Sequence, residues 1–223
     1  MVSINIGQSQ ERETPRRIVA NESSIPNSII ERVLKGMPIV YPTSSLPALG
    51  CIPESSALDA LFECKNRDEV KVVSLGVSTI QQAAEIVELP PDAEMILNAF
   101  EPGSLTLILP AKEKLDERLG GNSVAVRVLS HPSAKALTSI TGPLTATSAN
   151  QSGYEASADC IVAAQSLNLP KEAVLQGKCV GGAPSTLIAW NVSDGPSNAT
   201  KWTVVREGKI SQGEILSWLK KQT

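Results

Sequence analysis

Leu105-Thr106-Leu107-Ile108-Leu109-Pro110 decides the fold. A short apolar run closed by proline reads as a buried strand, because a buried helix needs ten or more residues. The same signal recurs on either side of it. Residues 37–41 and 70–77 read as strands upstream. Residues 124–129, with Arg127 as the lone charge, and 144–147 follow downstream, then 174–180, 185–190 and 202–206. Helical spacing of apolar residues intervenes at 27–35, ended by Gly36, and from a capping box of Ser56 and Asp59 to about Lys65. Further helices are expected at 78–87 (capped by Ser78), 92–100, 132–140, 157–167 and 211–220. Strands and helices interleave without strict alternation, which predicts an α/β protein with a mixed sheet and helices on its faces. Residues 1–25 are polar and aperiodic and read as a mobile arm, leaving 26–223 as one domain. Residues 191–201 read as a surface loop.

Composition narrows the class. Of 223 residues, 42% are apolar but only 3% aromatic, so the core is built from Val, Ile, Leu and Ala. The formal net charge of -3 argues against a general nucleic-acid binder, which needs a basic excess, while leaving room for a local basic groove. The four cysteines, Cys51, Cys64, Cys160 and Cys179, lack C-x-x-C spacing. They read as reduced thiols rather than a zinc site. The N-terminus MVSINIGQSQERETPRR has no apolar core of a signal, and no run approaches the roughly 18 apolar residues of a membrane span. A cytoplasmic protein with no membrane partner is expected.

Several segments carry chemistry. Lys65-Asn66-Arg67 places two cations at a helix end, which suits phosphate, although a favourable charge pair with the helix C-terminus explains it too. Thr147-Ser148-Ala149-Asn150-Gln151-Ser152-Gly153 follows a strand and offers hydroxyls and amides for ribose or phosphate, with Gly153 allowing close approach; a plain Asx or Ser turn is the alternative. Arg127 in an apolar strand must find solvent, a carboxylate or a ligand. His131, before Pro132, reads as a turn residue rather than a base. There is no P-loop, G-x-G-x-x-G or G-x-S-x-G.

Taken in order, these segments resemble the YrdC-like threonylcarbamoyl-AMP synthase family, in its short form. The first block, P-T-[DE]-T-x-Y-G-L, is matched in part by Pro42-Thr43-Ser44-Ser45-Leu46-Pro47-Ala48-Leu49. K-x-R is matched by Lys65 and Arg67, P-G-x-x-T by Pro102 to Thr106, and V-A-V-R by Val124 to Arg127. S-x-N is matched by Ser148 and Asn150, P-S-T by Pro184-Ser185-Thr186, and L-R-x-G by Val205-Arg206-Glu207-Gly208. The similarity covers about residues 25–215.

The resemblance implies a twisted mixed sheet with helices around a large concave groove. It also implies a nucleotidyltransferase that makes threonylcarbamoyl-AMP from L-threonine, bicarbonate and ATP with Mg2+. Pyrophosphate is released, and the product feeds the tRNA threonylcarbamoyl transferase complex. Lys65 and Arg67 would hold the phosphates as the catalytic cations. Ser123, Ser148, Asn150 and Arg206 would complete the ATP site, and Ser45, Arg127 and Ser185 would face threonine. No protein side chain is expected to ligate the metal. Departures fall on the amino-acid half: Ser45 for a threonine, Pro47-Ala48 for Tyr-Gly, Lys71-Val72 for Asn-Pro, and Gly76 for a histidine. The alternatives are a YciO-like paralogue acting on a related substrate and a nucleotide- or RNA-binding module without synthase activity. RNA binding through the groove would weaken steeply with salt.

Overall fold

A computed structural model describes residues 25–68, 70–191 and 202–222. The arm expected over 1–25, apart from Ile25, and nearly all of the loop expected over 191–201 lie outside the described residues. The architecture is the expected mixed α/β domain, with one difference. The strands divide into two sheets rather than one.

The larger sheet is built around the deciding stretch. Strand β4 (Leu105–Pro110) pairs antiparallel with β5 (Ser123–Val128) and parallel with β8 (Thr186–Trp190). Outward from these lie β3 (Leu75–Val77) and β6 (Leu144–Thr145) on one side and β9 (Trp202–Arg206) on the other, giving the order β6-β3-β5-β4-β8-β9. The smaller sheet holds β1 (Ile39–Tyr41), β2 (Ala48–Gly50) and β7 (Thr147–Ser148) in the order β1-β2-β7.

Period-2 alternation assigns the faces of the larger sheet. Leu105, Leu107 and Leu109 of β4 and Val124 and Val126 of β5 enter the main core, with Leu58, Leu61 and Phe62 of helix α2 (Ser55–Lys65). Their neighbours Thr106, Ile108, Ser123, Ala125 and Arg127 face the other way. Helix α1 (Asn27–Leu34) packs Ile29 and Val33 into a second cluster with Tyr41 and Leu137 of α5 (Pro132–Thr141). The remaining helices are α3 (Ile80–Ala84), α4 (Ala93–Asn98), α6 (Cys160–Ser166) and α7 (Gln212–Leu219). No helix among the described residues is long and apolar enough to cross a membrane.

Several expectations are corrected. The capping box at Ser56 and Asp59 does not form: α2 begins after Glu54 without a side-chain cap, and Asp59 pairs instead with Arg118 at 2.6 Å. The strand expected over 70–77 shrinks to β3, because the Arg67 guanidinium takes the carbonyls of Lys71 and Val72 from any neighbouring strand. Thr79, not Ser78, caps α3, while the Ser78 hydroxyl donates to Gln82. Residues 174–180 form only isolated bridges, at Val174 and Lys178. The strand expected over 144–147 breaks at Ala146, whose N–H binds Ser74 O at 2.8 Å. The break hands the chain from the larger sheet (β6) to the smaller (β7), and this carries Ser148 across the groove. His131 caps α5 through Nδ1, in keeping with a turn role.

Candidate functional site

The unpacked face of the larger sheet and the inner edge of the smaller one enclose a cavity of ≈ 480 Å³. Its floor is the outward series Ser123, Ala125 and Arg127 of β5 with Thr106 and Ile108 of β4. The β1–β2 connection contributes Thr43, Ser45, Leu46 and Pro47, the segment after α2 gives Arg67 and Ser74, β7 gives Ser148, and Ser185 and Arg206 close the far side. Residues from nearly the whole chain therefore converge on one hollow.

Arg67 enters the cavity from a left-handed turn. Asn66 ends α2 at φ 47°, and the Arg67 N–H returns to Phe62 O at 3.0 Å, the geometry that satisfies a helix's last carbonyls. The Arg67 Nε donates to Lys71 O at 2.8 Å and Nη2 to Val72 O at 3.1 Å, and the guanidinium lies 5.9 Å from the Phe62 ring centroid. These contacts fix the plane of the fork without neutralising it.

Arg127 is buried at 8% exposure. Its Nε donates to Gly103 O at 2.9 Å, and Nη2 donates to the hydroxyls of Ser44 at 3.0 Å and Ser45 at 3.3 Å. No carboxylate among the described residues pairs with it. Burial therefore pulls its pKa down, opposed by Tyr41 and reinforced by Arg206. Gly103 makes the contact possible. Its φ is +76°, and a Cβ there would lie 2.6 Å from Ser130 Oγ. Arg206 donates from Nη2 to Ser185 O at 2.8 Å, and the Ser185 hydroxyl is shared with Thr106 at 2.7 Å.

The neighbouring Arg118 shows the contrast. It pairs with Asp59 at 2.6 Å and Asp116 at 2.8 Å, and its hydrogen bonds hold the Asp116 carboxyl well below the usual range. The cavity, by contrast, is lined by three arginines and no Asp or Glu. In a chain of net charge -3, that is a concentrated patch of uncompensated positive charge.

Two expected site residues stand behind the wall. Lys65, 2% exposed, and Asn150 do not line the cavity. The Lys65 ammonium donates to Ser148 O, to Asn150 O at 2.6 Å and to Asn150 Oδ1 at 3.0 Å. Gly153 also lies away from the cavity, with φ +86° and open space beside it, so it serves the turn rather than a close approach. Thr43, Ser44, Ser74 and Thr106 belong to the site or its support and carried no assignment from sequence. Their signal was the period-2 face of β4 and the hydroxyl-rich segment after β1.

The position where the resemblance leads one to expect a histidine, Gly76, is filled by its neighbours. A Cβ there would meet Leu129 Cδ1 at 3.0 Å and Tyr41 Oη at 3.2 Å, and the Tyr41 hydroxyl is itself held by Thr145 O at 2.9 Å. Gly76→His is therefore expected to overpack the site and cost about 1–3 kcal/mol in chemical denaturation. An unchanged or raised midpoint would show that Tyr41 gives way.

Comparisons with known proteins agree with this fold. A family described as telomere recombination, Sua5_yciO_yrdC, matches residues 31–208. A curated threonylcarbamoyl-AMP synthase of Pseudomonas aeruginosa is 34% identical over 160 residues, covering 70% of this chain and 86% of that protein. The crystal structure of P. abyssi Sua5 complexed with L-threonine superposes with a TM-score of 0.72 at 26% identity, covering 84% of this chain but only 55% of the longer Sua5 chain. The crystal structure of E. coli YciO superposes with a TM-score of 0.66 at 27% identity, covering 82% of this chain and 88% of that one.

Proposed function

The chain belongs to the Sua5/YciO/YrdC family, and from that premise we propose that it is a threonylcarbamoyl-AMP synthase acting in the arginine-lined cavity. The observation that carries the reading is the set of three arginines converging without a carboxylate, because such a hollow suits a polyanion and an amino-acid carboxylate together. Arg67, Arg206, Ser123 and Ser148 would take ATP. Arg127, with Ser45 and Ser185 beside it, would take L-threonine by its carboxylate, since a buried guanidinium lacking an acid partner is completed by one.

In this reading threonine's amine takes up CO2 from bicarbonate, and the carbamate oxygen attacks the α-phosphorus of ATP, expelling pyrophosphate. The protein's part is positioning and neutralising charge; no side-chain nucleophile is needed. The lining offers hydroxyls rather than carboxylates, which fits a Mg2+ held by phosphate oxygens and water, as that ion prefers. Bound there, the ion would offset phosphate charge. The product would pass in the cytoplasm to a tRNA threonylcarbamoyl transferase complex.

The test is pyrophosphate release from ATP. It is expected to require both L-threonine and bicarbonate. Equal release with threonine omitted would reject the synthase and favour a YciO-like activity on another substrate.

A further inference from the structure

We propose that Lys65 is a positioning residue: it clamps the Ser148–Asn150 turn to the end of α2 and does not itself contact the phosphates of the ligand. The inference rests on the nucleotide reading of the cavity and assigns a division of labour within it.

Three protons of the Lys65 ammonium face three acceptors, Ser148 O, Asn150 O and Asn150 Oδ1, so its hydrogen-bonding capacity is spent inside the protein. Two further bonds tie the same segments. Gln151 Nε2 donates to Cys64 O at 3.2 Å, and the Ser152 N–H donates to Lys65 O at 3.2 Å. The last carbonyls of α2 and its last cation thus grip one turn from both sides. Lys65 is itself only 2% exposed, so to reach a phosphate it would have to leave all three acceptors and its buried position together.

The clamp has a consequence in the cavity. Because Lys65 donates to Asn150 Oδ1, the amide orientation is fixed, and Nδ2 is directed to the carbonyls of Gln151 and Tyr154. The Ser148 hydroxyl then donates to the same Oδ1 at 2.6 Å. Its proton is committed and only lone pairs remain. Ser148, the member of this group that lines the cavity, therefore accepts a hydrogen bond from a ligand O–H, such as a ribose hydroxyl, and is unsuited to an unprotonated phosphate oxygen. Arg67 keeps its own supports at Lys71, Val72 and Phe62 and stays in place when the clamp is released.

Calorimetric titration of ATP and of inorganic tripolyphosphate at several NaCl concentrations tests this on the full chain. Lys65→Met is expected to lose at least about tenfold in ATP affinity and less than about twofold for tripolyphosphate, which has no ribose. The slope of log affinity against log salt should not change. Asn150→Ala should show the same split, and the double variant should add little to either single one. Arg67→Met should weaken both ligands and flatten the salt dependence. The proposal is overturned if Lys65→Met loses tripolyphosphate affinity and salt slope as Arg67→Met does, or leaves ATP affinity unchanged. Should Lys65→Met fail to fold, Asn150→Ala decides by the same split. A wild-type chain that binds neither ligand overturns the nucleotide reading beneath, whereas wild-type binding with a uniform loss in Lys65→Met overturns the clamp alone.

Discussion

Arg127→Met is expected to raise the KM for L-threonine about 10- to 100-fold while leaving ATP affinity within about threefold. The magnitude follows from one lost charge-assisted contact, worth roughly 1.5–3 kcal/mol to a carboxylate. The selectivity follows from placement. Arg127 is fixed by Gly103 O and the hydroxyls of Ser44 and Ser45, at the side of the cavity formed by the β1–β2 connection. Stability should respond differently from activity. The guanidinium is buried with no acid partner, so methionine removes a desolvated cation rather than breaking an ion pair. The thermal midpoint should stay level or rise. A collapse of the fold, or equal losses for both substrates, would show that Arg127 serves the scaffold.

Arg67→Ala is expected to weaken ATP binding about 10- to 100-fold and to reduce the steepness with which affinity falls in salt. The guanidinium spends Nε and one face of its fork on Lys71 and Val72 and keeps its charge for the cavity. Burial pulls its pKa down, opposed by Asp68, but an arginine stays charged throughout the neutral range. The loss is therefore one of position and charge, not of protonation. Unchanged ATP affinity in a folded variant would remove Arg67 from the site.

Much of this arrangement was legible in the residues themselves. Val124-Ala125-Val126-Arg127-Val128 alternates with period 2, so the same reading that buries the valines puts Arg127 on the open face. Leu105 to Pro110 does the same for Thr106, although nothing local marks that hydroxyl as part of a site. Strand β2 was hidden, because it has only three residues, follows Pro47 and ends on Gly50, residues that punctuate rather than extend a strand. The break at Ala146 was equally hidden, since the choice between two sheets is made by partners far away in the chain.

Lys65 shows where local reading stops: it is buried behind the cavity wall, bonded to the Ser148–Asn150 turn. A lysine two residues from an arginine looks like half of a phosphate grip, and the chain order says nothing about a turn 83 residues on whose carbonyls absorb all three of its protons. Hydrophobic periodicity encodes which face is buried; it does not encode which polar groups will satisfy one another across the fold.

The most direct test of the central claim is a titration of ATP against the full chain, with and without L-threonine and bicarbonate. The arginine-lined cavity predicts saturable binding of one nucleotide per chain, weakened by salt and coupled to threonine. Absence of saturable ATP binding, or binding insensitive to both salt and threonine, would contradict it.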